Sequence, residues 1–280
     1  MSTSPTFSDV LRLPPGPVNL RLIETDAAPG YDGDKKSGKT DLWAIGEELF
    51  DLQQRLFAGK DDGQRSVLLV LQGMDTSGKG GALKHTVGLV DPQGVKITSF
   101  KAPTKEELAE DFLWRIKKGI PGPGMIGVFD RSHYEDVLIA RVRELAPADE
   151  IERRYDAINE FEGELVESGV TLVKCMLHIS PEEQKARLLA RLDDPTKHWK
   201  YNPGDLDSRA RWDDYMAAYE DAFARCGEAA PWHVVPADRK WYRNWAITKL
   251  LLEEMSRLDL RWPPADFDVA GERRRVEQAP

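Results

Sequence analysis

Short unbroken apolar runs alternate along this chain with stripes spaced three and four residues apart, which predicts strands and helices taking turns. The runs are Ser66–Gln72, Val95–Phe100, Gly124–Asp130, Val170–His178 and Trp232–Pro236. One stripe, Leu42, Ile45, Leu49, Leu52 and Leu56, predicts a helix between Asp41 and Phe57, and a second helical segment spans Ala82 to Val90. Thr104 with Glu107 forms a capping box that opens a helix bearing Leu108, Phe112, Leu113, Arg115 and Ile116. Ile151, Tyr155, Ile158 and Leu165 mark another helix, and Trp245, Leu252 and Met255 mark a last one between Trp241 and Leu258. Ser180-Pro-Glu-Glu183 supplies an N-cap, a first-turn proline and a capping-box glutamate in succession. Five strands separated by helices predict an α/β fold, with a five-stranded parallel sheet covered on both faces.

The flanks follow a different pattern. Residues 1 to about 38 are rich in Pro, Gly, Ser and Asp without periodicity, which predicts an extended arm over residues 1–40. Gly59 to Gly63 has turn chemistry, and the Glu272 to Pro280 end, with Arg273, Arg274 and Arg275, is expected to be disordered. The main domain is then 41–262, with 263–280 as a tail. A chain of 280 residues that is 41% hydrophobic suits one such domain. The net charge of −9 argues against a general nucleic-acid binder. Two cysteines, Cys175 and Cys226, with no CxxC pair and no secretory-looking start, point to the cytoplasm. No apolar run reaches the roughly 18 residues of a membrane span. The five histidines lack metal-ligand spacing.

Between the first strand and its helix stands Gly73-Met-Asp-Thr-Ser-Gly-Lys-Gly-Gly81. Strand, glycine loop and helix form the context of a phosphate-binding loop, in which Gly73, Thr76, Ser77, Gly78, Lys79 and Gly80 meet an anion through backbone N–H groups and the lysine. The fold is accordingly expected to be a P-loop kinase-like three-layer sandwich. Gly80 occupies the position where a magnesium-holding Ser or Thr normally follows the lysine. Asp75, inside the loop, is the replacement candidate. The third strand ends on Asp130, and ligands of parallel sheets gather beyond the carboxyl ends of strands, so Asp130 reads as the acid that meets the metal or its waters, or as a helix N-cap for Arg131 onward, two roles that can coexist. Lys185, Arg187 and Arg191 precede a polar interruption, Asp193–Lys200, with Lys197 and Lys200, and Asn202-Pro-Gly204 breaks the chain again. Helix, basic interruption, helix describes a lid over phosphates at 181–211, or else a solvated charged face.

Two functions remain compatible with these features: a phosphotransferase with a mobile lid, or a nucleotide-dependent switch. A switch normally retains the hydroxyl that Gly80 lacks, and a cationic lid suits phosphoryl transfer. Asp130-Arg131-Ser132 resembles the acid-arginine motif of thymidylate-kinase-like enzymes, which keeps an ATP-dependent nucleotide kinase in contention. A closer resemblance spans about Leu42 to Leu258. The glycine loop with Lys84, Phe112-Leu-Trp-Arg115, Phe129-Asp-Arg-Ser-His-Tyr-Glu-Asp136, and Arg187, Arg191, Asp194, Lys197, Trp199 and Lys200 together resemble family 2 polyphosphate kinases.

That resemblance implies reversible phosphoryl transfer between inorganic polyphosphate and adenine or guanine nucleotides, with magnesium or manganese, in a homodimer or homotetramer. It implies Asp75, Lys79, Asp130 and Arg131 at the reacting centre, with Asp75 and Asp130 toward the metal. Arg115, Arg131 and Glu135 would face the nucleotide. Lys84 and the lid cations Arg187, Arg191, Lys197 and Lys200 would face polyphosphate. Glu135 resembles the branch that accepts both AMP and ADP, although a first-turn helix acid would also be placed there by the helix dipole.

Overall fold

The computed structural model of the chain describes residues 6–60 and 63–280. Its strands are β1 (Ser66–Gln72), β2 (Val95–Ser99), β3 (Ile126–Asp130), β4 (Val170–His178) and β5 (Trp232–Pro236). They form one all-parallel sheet in the order β2-β3-β1-β4-β5. Every predicted strand is present, because a doubly covered parallel strand must be apolar on both faces and so stands out as a continuous run.

The helices are α1 (Phe7–Leu11), α2 (Lys35–Ala58), α3 (Lys79–His85), α4 (Trp114–Gly119), α5 (Ile139–Val142), α6 (Ala148–Glu167), α7 (Pro181–Leu192), α8 (Gly204–Ala210), α9 (Trp212–Arg225), α10 (Lys240–Ser256) and α11 (Val269–Glu277). Alternate residues of β1 divide the core. Val67, Leu69 and Leu71 pack with Leu49 and Leu56 of α2 and Leu250 and Leu251 of α10. Leu68 and Val70 face Phe161 and Leu165 of α6. A third cluster joins α5, α6 and α9 over Met176 and Val234.

Several elements depart from the expectation. The arm is not merely extended: Phe7, Leu11 and Leu20 are buried, and Phe7 meets Trp245 edge-on at 4.8 Å. Phe7, Val10 and Leu11 are spaced as one helical turn behind a Thr6–Asp9 capping box, too short to stand out as a stripe, and Pro14, Pro15 and Pro17 separate them from Leu20, so their anchoring role is visible only against a partner surface. Asp34 caps α2, which therefore starts before Asp41. Residues 61 and 62 of the expected Gly59–Gly63 turn lie outside the described residues. The Thr104–Glu107 capping box forms in both directions, yet it opens only a 3-10 turn at Glu107–Ala109, and a separate α4 carries Arg115. Ser180 caps α7, but Glu183 turns to Arg187 instead of completing a box. The end expected to be disordered is helical in α11, where the pairs Arg273–Glu277 and Arg275–Glu272 line its exposed surface. Among the described residues, no helix is long and apolar enough to cross a membrane.

The arm docks partly through His233. Its ring nitrogens lie 3.2 Å from the Lys174 carbonyl and 3.0 Å from Ser8 Oγ, so the neutral ring donates to the carbonyl and accepts from the hydroxyl. Burial pushes its pKa down to about 4. A depressed histidine favours the fold while neutral and opposes it once the unfolded chain can take the proton. Stability is therefore expected to fall as pH drops from about 6.5 to about 4, by on the order of 3 kcal/mol in the limit. Urea unfolding across that window checks this, and His233→Gln should flatten the slope.

Candidate active site

β1, β3 and β2 deliver their carboxyl ends side by side: Leu71 and Ser99 both pair with Asp130 in register. Just beyond them lies a cleft of about 520 Å³. The glycine loop forms one wall, with Asp75, Thr76, Gly78, Lys79, Gly80 and Gly81. Ser99, Phe100 and Lys101 form the β2 side, Asp130 and Arg131 the floor, and Arg191, Trp199, Lys200, Asn202 and Asp205 the opposite wall.

The conformation of the loop follows from what grips it. Gly73 and Gly78 take φ of +140° and +107°, which only glycine adopts without strain, whereas Thr76 sits at +66° and needs support. That support is a set of donors aimed at the loop's carbonyls. Lys79 Nζ donates to Gly73 O at 2.7 Å, and Gln184 to Asp75 O at 3.1 Å. Arg187 donates to Thr76 O at 2.9 Å and Ser77 O at 2.8 Å, and Arg243 reaches Ser77 O at 3.4 Å. With the carbonyls turned inward, the peptide N–H groups of Thr76, Gly78, Lys79 and Gly80 have no protein acceptor among the described residues. Tyr219 closes the base, its hydroxyl accepting from Gly73 N–H at 3.1 Å.

Charge concentrates where the loop meets the turn after β3. Arg131 pairs with Asp75 at 2.9 Å and sits at a φ of +65°. Burial and neighbouring Arg131 push the Lys79 pKa down, against the pull of Asp75, Asp130 and Glu135. Burial raises the Glu135 carboxyl, opposed by Arg131 and Lys79. With the Gln72 amide nitrogen turned toward it, Glu135 accepts a hydrogen bond at 3.0 Å. Ser132, not Asp130, caps the turn that follows, accepting from Tyr134 N–H, so the N-cap role falls to the serine. No three His, Cys, Asp or Glu residues cluster as a metal site among the described residues. Asp75 and Asp130 nonetheless both face the cleft. Two hard carboxylates beside a phosphate cradle suit magnesium, which keeps waters and shares its shell with phosphate oxygens.

The sequence-predicted residues separate by position. Asp75, Thr76, Gly78, Lys79, Gly80, Asp130, Arg131, Arg191 and Lys200 line the cleft; Gly73, Ser77, Lys84, Arg115, Glu135, Arg187 and Lys197 do not. Lys84 is exposed on the last turn of α3. Arg115 is nearly buried, donates to Lys101 O at 2.7 Å and lies 3.7 Å from Asp136, so it braces the β2 side. Glu135 lines a cavity of about 40 Å³ behind the cleft, with Gly73, Asp75, Arg131, Tyr215 and Tyr219. Lys197 is paired with Asp194 at 2.7 Å. Arg187 departs most from expectation: it is 8% exposed, and its guanidinium is taken up by loop carbonyls, Ala237 O, Asp238 O and Glu183. It stands behind the loop, not on a free lid surface.

Gln184, Tyr219 and Arg243 were not legible as site residues. Arg243 carries a usable signal as the one arginine of α10, set in its first turn between Tyr242 and Asn244, where a buried guanidinium must find carbonyls. Asp205 and Lys101 have no local signature and reach the cleft only through the fold.

Residues 32–261 match the family profile described as polyphosphate kinase 2. The chain is 42% identical over 251 residues to an AMP/ADP-polyphosphate phosphotransferase of Meiothermus ruber, covering 89% of this chain and 93% of that protein. It is 41% identical over 230 residues to an ADP-polyphosphate phosphotransferase of Rhodopseudomonas palustris, covering 78% of each. The crystal structure of polyphosphate kinase 2 from Arthrobacter aurescens superposes with a TM-score of 0.95 at 54% identity, covering 100% of this chain and 99% of that one.

Two neighbouring glycines separate conformational need from proximity to the cleft. A Cβ on Gly78 would lie 1.8 Å from Arg243 Nη1 at a left-handed φ, whereas one on Gly80 meets nothing within 4 Å. Gly78→Ala is expected to destabilise the protein by about 2 kcal/mol or more, whereas Gly80→Ala, on a helix with open space around it, should be neutral or stabilise by up to about 1 kcal/mol. Thermal unfolding of the two variants provides the comparison.

Proposed function

This chain belongs to the polyphosphate kinase 2 family and is a polyphosphate-dependent nucleotide kinase, and we propose that its glycine-loop cleft moves a phosphoryl group reversibly between inorganic polyphosphate and AMP or ADP. The observation that carries the reading is the loop itself, with its carbonyls tied back, its N–H groups open to the cleft, and Lys79, Asp75 and Arg131 gathered at one end. Polyphosphate offers neither base nor sugar, only a chain of negative charge. A receptor for it is built from backbone N–H groups and cations, and the cleft supplies both.

The residues then divide the work. Lys79 and the loop hold the phosphate to be transferred, and Arg131 bridges it to the nucleotide. Arg191 and Lys200 close over the polyphosphate from the lid, with Lys197 and Lys84 farther out along the same chain. Arg187 serves by shaping the loop. An acceptor phosphate has its second pKa near 6 and is largely ionised at neutral pH, so Asp75 need not remove a proton. Asp75 and Asp130 are the groups that would hold magnesium, or manganese in its place; such an ion neutralises phosphate charge. What the chain contributes is alignment and a preset field, which are the main requirements of phosphoryl transfer. Guanine nucleotides belong to the same acceptor class.

Two buried free cysteines suit a reducing cytoplasm. Exposed Trp43, Trp262 and Phe267 are apolar surface that assembly into a homodimer or homotetramer would cover.

Purified protein supplied with magnesium, AMP or ADP, and polyphosphate should form ADP and ATP, separable by chromatography. Equal or faster turnover of AMP with ATP as donor would favour an ATP-dependent nucleotide kinase instead. Lys79→Ala should lower turnover by roughly a hundredfold or more with the fold intact, because it removes charge at the transferring phosphate. Glu135→Asn should depress the AMP step more than the ADP step. An equal loss in both would remove Glu135 from acceptor choice.

A further inference from the structure

The segment from Arg131 to Glu135 faces two ways. Arg131 and Glu135 belong to the charge cluster of the site, whereas His133 and Tyr134 between them are fully buried. Beneath these two lies an ion pair that the reaction does not use. Lys174 of β4 and Glu162 of α6 meet at 2.5 Å, with side chains 0% and 1% exposed. Lys174 Nζ also donates to the Tyr134 hydroxyl at 3.0 Å and to Cys226 O at 2.8 Å. The Tyr134 hydroxyl donates to Glu162 Oε1 at 2.8 Å, and His133 Nε2 lies 3.2 Å from the same oxygen. Burial would raise the Glu162 carboxyl, but Lys174 and His133 hold it below its usual range. Burial and Glu162 push the Tyr134 hydroxyl well above its usual range, so it remains a donor.

Stability does not require such an arrangement, since a buried ion pair contributes little over an apolar pair of similar volume. What it supplies is direction. Of the three residues between Arg131 and Glu135, Ser132 caps the turn while His133 and Tyr134 are both oriented by one carboxylate, and Tyr134 is packed edge-on against Trp232 at 4.7 Å. Arg131, a non-glycine residue at a φ of +65°, holds that conformation only if its surroundings over-determine it. The glycine loop hangs on a separate set of groups, Gln184, Arg187 and Arg243, none of which bonds to the pair. The supports of the loop carbonyls are thus separate from the pair, and the two walls meet at the Asp75–Arg131 bridge.

We propose that Lys174 and Glu162 are positioning residues for the nucleotide side of the site, acting through His133 and Tyr134 on Arg131 and Glu135, and that they have no part in holding polyphosphate. The proposal rests on the reading of Arg131 and Glu135 as nucleotide-facing.

Calorimetric binding of AMP and of polyphosphate, each measured alone, tests it in three proteins: wild type, Tyr134→Phe, and the combined Lys174→Met and Glu162→Leu. The combined variant replaces the pair with apolar side chains of similar volume. It should still unfold cooperatively, at a lower temperature than wild type because the Tyr134 hydroxyl, His133 Nε2 and Cys226 O lose partners. It should lose about tenfold or more in AMP affinity and keep polyphosphate affinity within about twofold. Tyr134→Phe removes one hydroxyl and should weaken AMP in the same direction by a smaller factor; it decides the matter if the combined variant does not fold. Unchanged AMP affinity in a folded variant, or equal losses for both ligands, overturns the proposal. A wild type that binds AMP but not polyphosphate would count against the proposed donor while leaving the AMP comparison readable.

Discussion

The whole site depends on how one short loop disposes of its backbone carbonyls. A phosphate cradle needs several peptide N–H groups pointing outward together, which forces the matching C=O groups inward, where each must be satisfied or the loop unwinds. Here the satisfaction comes from far along the chain: Gln184 and Arg187 from α7, and Arg243 from α10. Helix α7 and the last core helix, α10, are therefore both tied to the glycine loop through its rear.

The same tie sets the local field. Arg187 and Arg243 lie side by side behind the loop, and burial together with Arg187 pushes the Arg243 pKa down to about 10. Two guanidiniums held there contribute positive potential to the cleft without occupying it, in a chain whose net charge is −9. Charges preset in this way require no rearrangement when a polyanion arrives, which is how preorganised electrostatics lower a barrier. The front of the cleft is arranged differently. Arg191 bonds to Lys200 O and Asp205, and Lys200 lies over the Trp199 ring at 4.9 Å, so these two cations of the opposite wall are nearer the surface than Arg187 and Arg243.

The fold and the loop were readable for physical reasons that apply to few other parts of the chain. Strands buried on both faces must be continuous apolar runs, and each of the five occupies its predicted place. The loop was readable because positive φ demands glycine at Gly73 and Gly78, and because Lys79 must sit at the start of the helix to reach back to Gly73 O. Family membership followed from the spacing of separated motifs, and the comparisons with relatives agree with it.

Sequence by itself determined the sheet, the helix faces, the position of the glycine loop and the class of chemistry, since each depends on short-range periodicity or on residues within a few positions of one another. Only the tertiary structure decided which charges face the cleft. Arg187 and Arg191 are one helical turn apart on α7 and looked equivalent, yet one is consumed by loop carbonyls and the other lines the cleft. The buried Lys174 in the middle of β4 had no meaning until α6 brought Glu162 to it. The arm's single helical turn, capped locally by Thr6 and Asp9, buries Phe7 and Leu11 only against α10 and β5. In each case the deciding partner lies tens to hundreds of residues away or across a packed face, and long-range pairing of that kind leaves no trace in local pattern.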